Sequence, residues 1–96
     1  MYLLDKPEVI SSSLSPYRVN EGQTATLICT VTAANPNTGI TWKWCKTDSP
    51  NTILYHEPNY TIPNIQRGKT GSFSCTASNS VGTSEAAVII VDVQCM

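Results

Sequence analysis

Few residues in this chain could do chemistry: four cysteines, one histidine beside a glutamate, one Asn-x-Thr triplet and one short basic turn. Cys29, Cys45, Cys75 and Cys95 are spaced by 16, 30 and 20 residues, without a Cys-x-x-Cys pair. Tetrahedral zinc sites usually draw ligands from such short pairs, and the single histidine, His56, falls in a turn-rich stretch, so no metal or cofactor is expected. To act as a base His56 would need a serine and a carboxylate within hydrogen-bond reach, and no Gly-x-Ser-x-Gly elbow is present. Glu57 reads as a solvated turn residue and no paired carboxylates suggest acid–base work, so the chain is not expected to be an enzyme. What remains is thiol oxidation and sugar attachment. An even number of cysteines in a small chain points to an oxidising, extracellular setting. Asn59-Tyr60-Thr61 fits the acceptor for N-linked glycosylation. Arg67-Gly68-Lys69 is a basic turn and differs from the adhesive Arg-Gly-Asp tripeptide.

Ninety-six residues allow one domain, and a domain of this size buries only about 60–65% of its unfolded surface, which makes a covalent staple valuable. Charged residues are 14% of the chain and the net charge is −1, so the concentrated basic stripe that nucleic acid requires is missing. The longest apolar run, Ala86 to Val91, is six residues, far short of the ~18 that cross a bilayer, so no direct membrane insertion is expected. Met1 to Lys6 lacks a basic start followed by a long apolar stretch and reads as a leading segment or linker remnant. Residues 7–94 read as the domain and 95–96 as a C-terminal tail or linker remnant.

The elements that must position these residues are strands. Twelve Thr and ten Ser against two Met and one Phe favour strands and turns, and no segment holds a 3.6-residue apolar period. Thr24 to Thr32 alternates, with Ala25, Leu27, Cys29 and Val31 on one face. Ile40 to Trp44 and Tyr60-Thr61-Ile62 alternate likewise. From Ser72 to Ser78 the apolar face is Phe73, Cys75 and Ala77, and the other face is Ser or Thr. In Ala86 to Val93 both faces are apolar: Ala87, Ile89, Val91 and Val93 on one, Ala86, Val88 and Ile90 on the other. Breaker clusters at Asn35 to Gly39, Asp48 to Asn51, Glu57 to Asn59 and Arg67 to Gly71 separate the strands. Seven or eight short strands of this kind predict a two-layer β-sandwich. Four cysteines allow three connectivities, and strand parity turns Cys29 and Cys75 both inward, where they can meet across the sandwich. Closing that loop is worth about 4 kcal/mol in the chain-entropy treatment.

Cys29, Trp42 thirteen residues on, Tyr60-Thr61-Ile62, Ile65 and the run Gly71 to Gly82 together resemble an immunoglobulin-superfamily domain of the I-set or C2 type, and Glu21-Gly22 fits as well. The resemblance extends from Pro7 to Val93. It implies an all-β, two-sheet Greek-key sandwich with a disulfide from Cys29 on strand B to Cys75 on strand F, and Trp42 on strand C packing on the bridge. Trp44 shares the parity of Trp42, and the expected core is Leu27, Ile62, Phe73, Trp42 and Trp44. About 18 residues between Trp42 and Tyr60 leave no room for the extra strands of a variable-type domain. Where the family usually has tyrosine two residues before the second cysteine this chain has Phe73, and the aspartate usual four residues earlier is Lys69, so the corner there is expected to rely on packing alone. Cys45 and Cys95 are outside the family's usual set, and three fates stay open: a second intradomain bond, a bond to another copy or neighbouring domain, or free thiols.

The resemblance implies a non-catalytic recognition module of an extracellular or cell-surface adhesion or receptor protein, with a protein partner and self-association as its specific form. If the last strand is a sheet edge, Val88 and Ile90 stand exposed near Thr41, Lys43, Ser74 and Thr76, and Thr41, Lys43, Val88 and Ile90 become the candidate contact face. A second reading is a structural spacer between neighbouring immunoglobulin-like domains of a longer chain. A third is a cytosolic, sarcomere-like domain without disulfides, against which the four cysteines and the glycosylation triplet weigh.

Overall fold

The computed structural model describes residues 4–11, 15–49 and 51–95. Met1 to Leu3 of the expected leading segment, Pro50 of one breaker cluster and Met96 of the expected tail lie outside the described residues. Among the described residues seven strands form two sheets. One holds β1 (Asp5–Ser11), β3 (Ala25–Asn35) and β5 (Asn59–Ile62) in the order β1-β3-β5. The other holds β2 (Tyr17–Asn20), β4 (Thr41–Lys46), β6 (Gly71–Ser78) and β7 (Ala87–Gln94) in the order β2-β7-β6-β4. All pairings are antiparallel except β2 with β7. β1 takes in Asp5 and Lys6, the last two residues of the expected leading segment. Its ladder with β3 shifts register between Asp5 and Glu8, where Pro7, which has no N–H to donate, is accommodated on an edge strand.

The alternation in the sequence becomes the wall of the core. Ala25, Leu27, Cys29 and Ile62 project from the three-stranded sheet, and Val19, Trp44, Phe73, Cys75, Ile89, Val91 and Val93 from the four-stranded one. Cys29 and Cys75 are disulfide-bonded across the gap, with Cα atoms 6.7 Å apart. Tyr17 adds a polar tie between sheets: its hydroxyl accepts the Thr26 N–H at 3.1 Å.

Trp44, and not Trp42, is the tryptophan on the bridge. Trp44 is 0% exposed while Trp42 is only half-buried at the margin of the core. Both share a face, so register decides: Trp44 is paired with Cys75 itself, whereas Trp42 is paired with Ala77, further along the strand. The indole also needs an acceptor when buried. Trp44 Nε1 donates to the Glu57 carbonyl at 2.9 Å. Tyr60 closes over it at 6.0 Å between ring centroids and stacks on Tyr55 at 5.0 Å. Burial raises the pKa of the Tyr60 hydroxyl above its ordinary value, so the ring stays neutral further into the alkaline range.

The corner between β5 and β6 is held by more than packing, contrary to the expectation from Phe73. A 3-10 turn spans Arg67–Lys69, and the Glu21 carboxylate accepts both the backbone N–H and the Nε–H of Arg67 at 3.2 Å. Lys46 donates to the Thr70 carbonyl at 3.1 Å and lies 5.2 Å from the centre of the Phe73 ring. The Thr70 hydroxyl accepts the Val93 N–H at 2.9 Å. Three contacts from β4, β7 and the β2–β3 turn thus replace one tyrosine hydroxyl. Gly71 enters β6 with φ +146°, and a Cβ there would lie 3.0 Å from Lys46 Nζ. Urea denaturation should separate the two tryptophans: Trp44→Ala is expected to cost about 3–5 kcal/mol and Trp42→Ala only about 1 kcal/mol. Equal losses would contradict the assignment.

Candidate recognition face

The outer surface of the four-stranded sheet is built by the residues that alternate with the core. Along β6 these are Ser72, Ser74 and Thr76. Register sets their neighbours: Ile90 beside Ser72, Val88 and Cys45 on either side of Ser74, Lys43 beside Thr76 and Thr41 beside Ser78. The result is a central strip of small hydroxyls with aliphatic side chains along one flank. Val88 and Ile90 are each 44% exposed, and Ala86, Thr41 and Lys43 are exposed too. Val88 and Ile90 lie together, Lys43 is one row beyond Val88, and Thr41 is a row further.

β7 is not the edge of its sheet. β2 runs beside it in parallel, pairing Tyr17 with Val91 through Asn20 with Gln94. Ile90 donates its N–H to the Ser15 hydroxyl at 3.1 Å. The exposed aliphatics therefore offer a sheet face and not an unpaired edge. Arg18 and Asp92, an ion pair at 3.9 Å, extend that face toward the end of β7. The sequence gives no periodic signal for β2, so these two residues were not legible as neighbours of Ile90. At the other border, the Trp44 N–H donates to the Tyr55 carbonyl and the Leu54 N–H to the Trp44 carbonyl, covering the edge of β4.

The remaining candidates lie apart from this face. Asn59 and Thr61 are exposed on β5 in the opposite sheet. His56 is exposed in the β4–β5 connection, and Glu57 next to it serves through its backbone carbonyl. Arg67 is engaged with Glu21. Among the described residues no three His, Cys, Asp or Glu side chains gather as a metal site would require. In an open hollow lined by Lys46, Thr47, Asp48, Thr70, Gly71 and Ser72, Lys46 is engaged with the Thr70 carbonyl and the Thr47 hydroxyl with that of Ser72 at 2.7 Å.

Cys45 and Cys95 do not bond to each other. Register gives the reason. The residue of β7 in the row of Cys45 is Val88, and Cys95 lies seven residues further along, roughly 23 Å away at about 3.3 Å per residue. The intradomain staple that the sequence left open is thereby overturned. Cys45 faces outward but is only 9% exposed, with its Sγ 3.5 Å from the Ser74 hydroxyl, whereas Cys95 is exposed.

A family profile described as "Immunoglobulin domain" matches residues 6–79. The chain is 36% identical over 67 residues to MAM domain-containing glycosylphosphatidylinositol anchor protein 2 of Mus musculus, a match covering 70% of this chain and 7% of that protein. It is 36% identical over 76 residues to Sialic acid-binding Ig-like lectin 10 of Mus musculus, covering 78% of this chain and 11% of the relative. The chain thus spans a small fraction of the curated relatives it matches. Its fold is similar to the structure described as Dpr2 Ig1-Ig2 in complex with DIP-Theta Ig1-Ig3, with a TM-score of 0.74 and 22% identity over 92% of this chain and 32% of that chain.

The two unbonded thiols should differ in reactivity. Alkylation of the native, unreduced chain followed by intact mass is expected to label Cys95 first and Cys45 slowly, with all four cysteines labelled only after reduction in denaturant. An unreduced chain that takes up no label even in denaturant would contradict the two-thiol arrangement.

Proposed function

The chain belongs to the immunoglobulin-domain family, and from that premise we propose that it is a non-catalytic protein-recognition module of an extracellular or cell-surface adhesion or receptor protein. The observation that carries the proposal is the outer face of β4, β6 and β7, where Val88 and Ile90 stand 44% exposed beside a strip of serine and threonine. Small hydroxyls at the centre keep the surface low, so a flat partner can approach the aliphatic flank and exclude water from it. Each square ångström of apolar surface so covered contributes about 25 cal/mol. Lys43 and the Arg18–Asp92 pair supply the polar rim that such interfaces carry.

Self-association is the specific form of the proposal. Lys43 lies at one end of the face and Asp92 at the other. A two-fold axis between them would bring Lys43 of each copy over the Arg18–Asp92 pair of its mate, an isologous contact between polar rims. A structure of similar fold is a complex between two different immunoglobulin-domain proteins, which is compatible with a protein partner.

The spacer reading has an observation of its own. Asp5 pairs with Asn35 at one end of β3, while the Gln94 carbonyl accepts the Glu21 N–H near Ala25 at the other. The first and last strands therefore reach opposite poles of the sandwich, about 34 Å apart along an eleven-residue strand. Domains stacked before and after it would join head to tail, as neighbouring immunoglobulin-like domains in a longer chain.

Sedimentation of the chain secreted from eukaryotic cells, across rising concentration, distinguishes the readings. A self-associating domain dimerises, and Ile90→Asp abolishes the dimer while changing stability by no more than about 0.5 kcal/mol, because the side chain is at the surface. A dimer unchanged by Ile90→Asp removes this face. A chain that stays monomeric throughout supports the spacer.

A further inference from the structure

Asn59-Tyr60-Thr61 is the only Asn-x-Ser/Thr triplet in the 96 residues, and the recognition face makes no use of it. The fold places it on β5, an edge strand of the three-stranded sheet. Strand alternation turns Tyr60 and Ile62 toward the core and leaves Asn59 and Thr61 exposed on one outward face. Asn59 is paired with Ile28 and Thr61 with Thr26 of β3, and neither the Asn59 amide nor the Thr61 hydroxyl bonds to a described residue. A group attached at Asn59 would displace no core side chain.

The surface around Asn59 needs cover. β5 pairs with β3 on one side, and no strand among the described residues pairs with its other side. Unpaired edges invite pairing with other chains. Ile28, beside Asn59, and Ile10 of β1, 53% exposed and paired with Thr30, share the outer face of this sheet. Ile10 lies two strand spacings from Asn59, about 10 Å across the sheet.

We propose that Asn59 carries an N-linked oligosaccharide, and that the sugar shields the β5 edge and the outer face of the β1-β3-β5 sheet, leaving the opposite face for protein contact. The proposal rests on the cell-surface reading, because the donor is a lipid diphosphate-linked oligosaccharide of the secretory pathway. In the transfer, the bond between the first sugar's C1 and the diphosphate oxygen breaks and a bond from C1 to Asn59 Nδ2 forms. The lipid diphosphate leaves with the bonding electron pair, and one Nδ2 proton passes to a base, with no change of oxidation state. Thr61 supplies the hydroxyl that the acceptor triplet requires.

The test is to secrete the chain from eukaryotic cells and measure its intact mass before and after an amidase that releases N-linked sugar. The expected result is loss of one oligosaccharide with aspartate left at position 59, absent in Asn59→Gln and Thr61→Val and retained in Thr61→Ser. A secreted chain with the Cys29–Cys75 bridge closed and Asn59 unmodified would overturn the proposal while leaving the cell-surface reading intact. A chain retained in the cell with Cys29 and Cys75 reduced would overturn both. The shielding is tested in an Ile90→Asp background, where Asn59→Gln is expected to restore concentration-dependent association through the uncovered sheet at unchanged thermal midpoint. Sedimentation as a monomer with and without the sugar would overturn it.

Discussion

The bond between Cys29 and Cys75 is the constraint on which the other features depend. It joins the middle strand of one sheet to an inner strand of the other, and Trp44 pairs directly with Cys75 to cover it. A chain of this size has a small core, so a cross-link that removes conformational freedom from the unfolded state is a large share of its stability. Once β3 and β6 are fixed face to face, the parity of every neighbouring strand is fixed too. Leu27, Phe73, Ile89 and Val91 point in, and Ser74, Thr76, Val88 and Ile90 point out. The outward set is therefore a by-product of the inward one, free to vary in chemistry without disturbing the core.

Polar contacts hold the periphery to that centre. Glu21, Lys46 and Val93 converge on the corner before β6 from three parts of the chain, and the Tyr17 hydroxyl spans the sheets at Thr26. These ties fix the start of β6, where Ser72 stands beside Ile90 on the outer face. The two outer faces then differ in kind. One carries exposed aliphatics over a bonded sheet interior with polar flanks; the other ends in a short edge strand bearing the only glycosylation triplet.

Parity was legible in the sequence, and register was not. The alternation of Ala25, Leu27 and Cys29, of Phe73, Cys75 and Ala77, and of Ile89, Val91 and Val93 located three strands and their buried faces, together with the bridge. Parity alone cannot rank Trp42 against Trp44, because both point inward and only the pairing with Cys75 or Ala77 separates them. The same ignorance of register left Cys45 and Cys95 as a conceivable pair, although seven residues divide their rows. β1 and β2 escaped because Pro7 interrupts the first and the second is only four residues long, too short for a periodic signal. Missing β2 also made β7 look like an edge. The corner was misjudged for another reason: the residues replacing the tyrosine hydroxyl, Glu21 and Lys46, are distant in sequence, and no local pattern announces them.

The most direct measurement of this account is equilibrium urea unfolding of the chain with the bridge intact and of the Cys29→Ala/Cys75→Ala double variant. If the bridge is the organising constraint, the variant loses about 4 kcal/mol and unfolds at a much lower urea concentration. An unfolding midpoint close to that of the bridged chain would contradict the account, because the sheets would then be held together by packing and the peripheral polar ties alone.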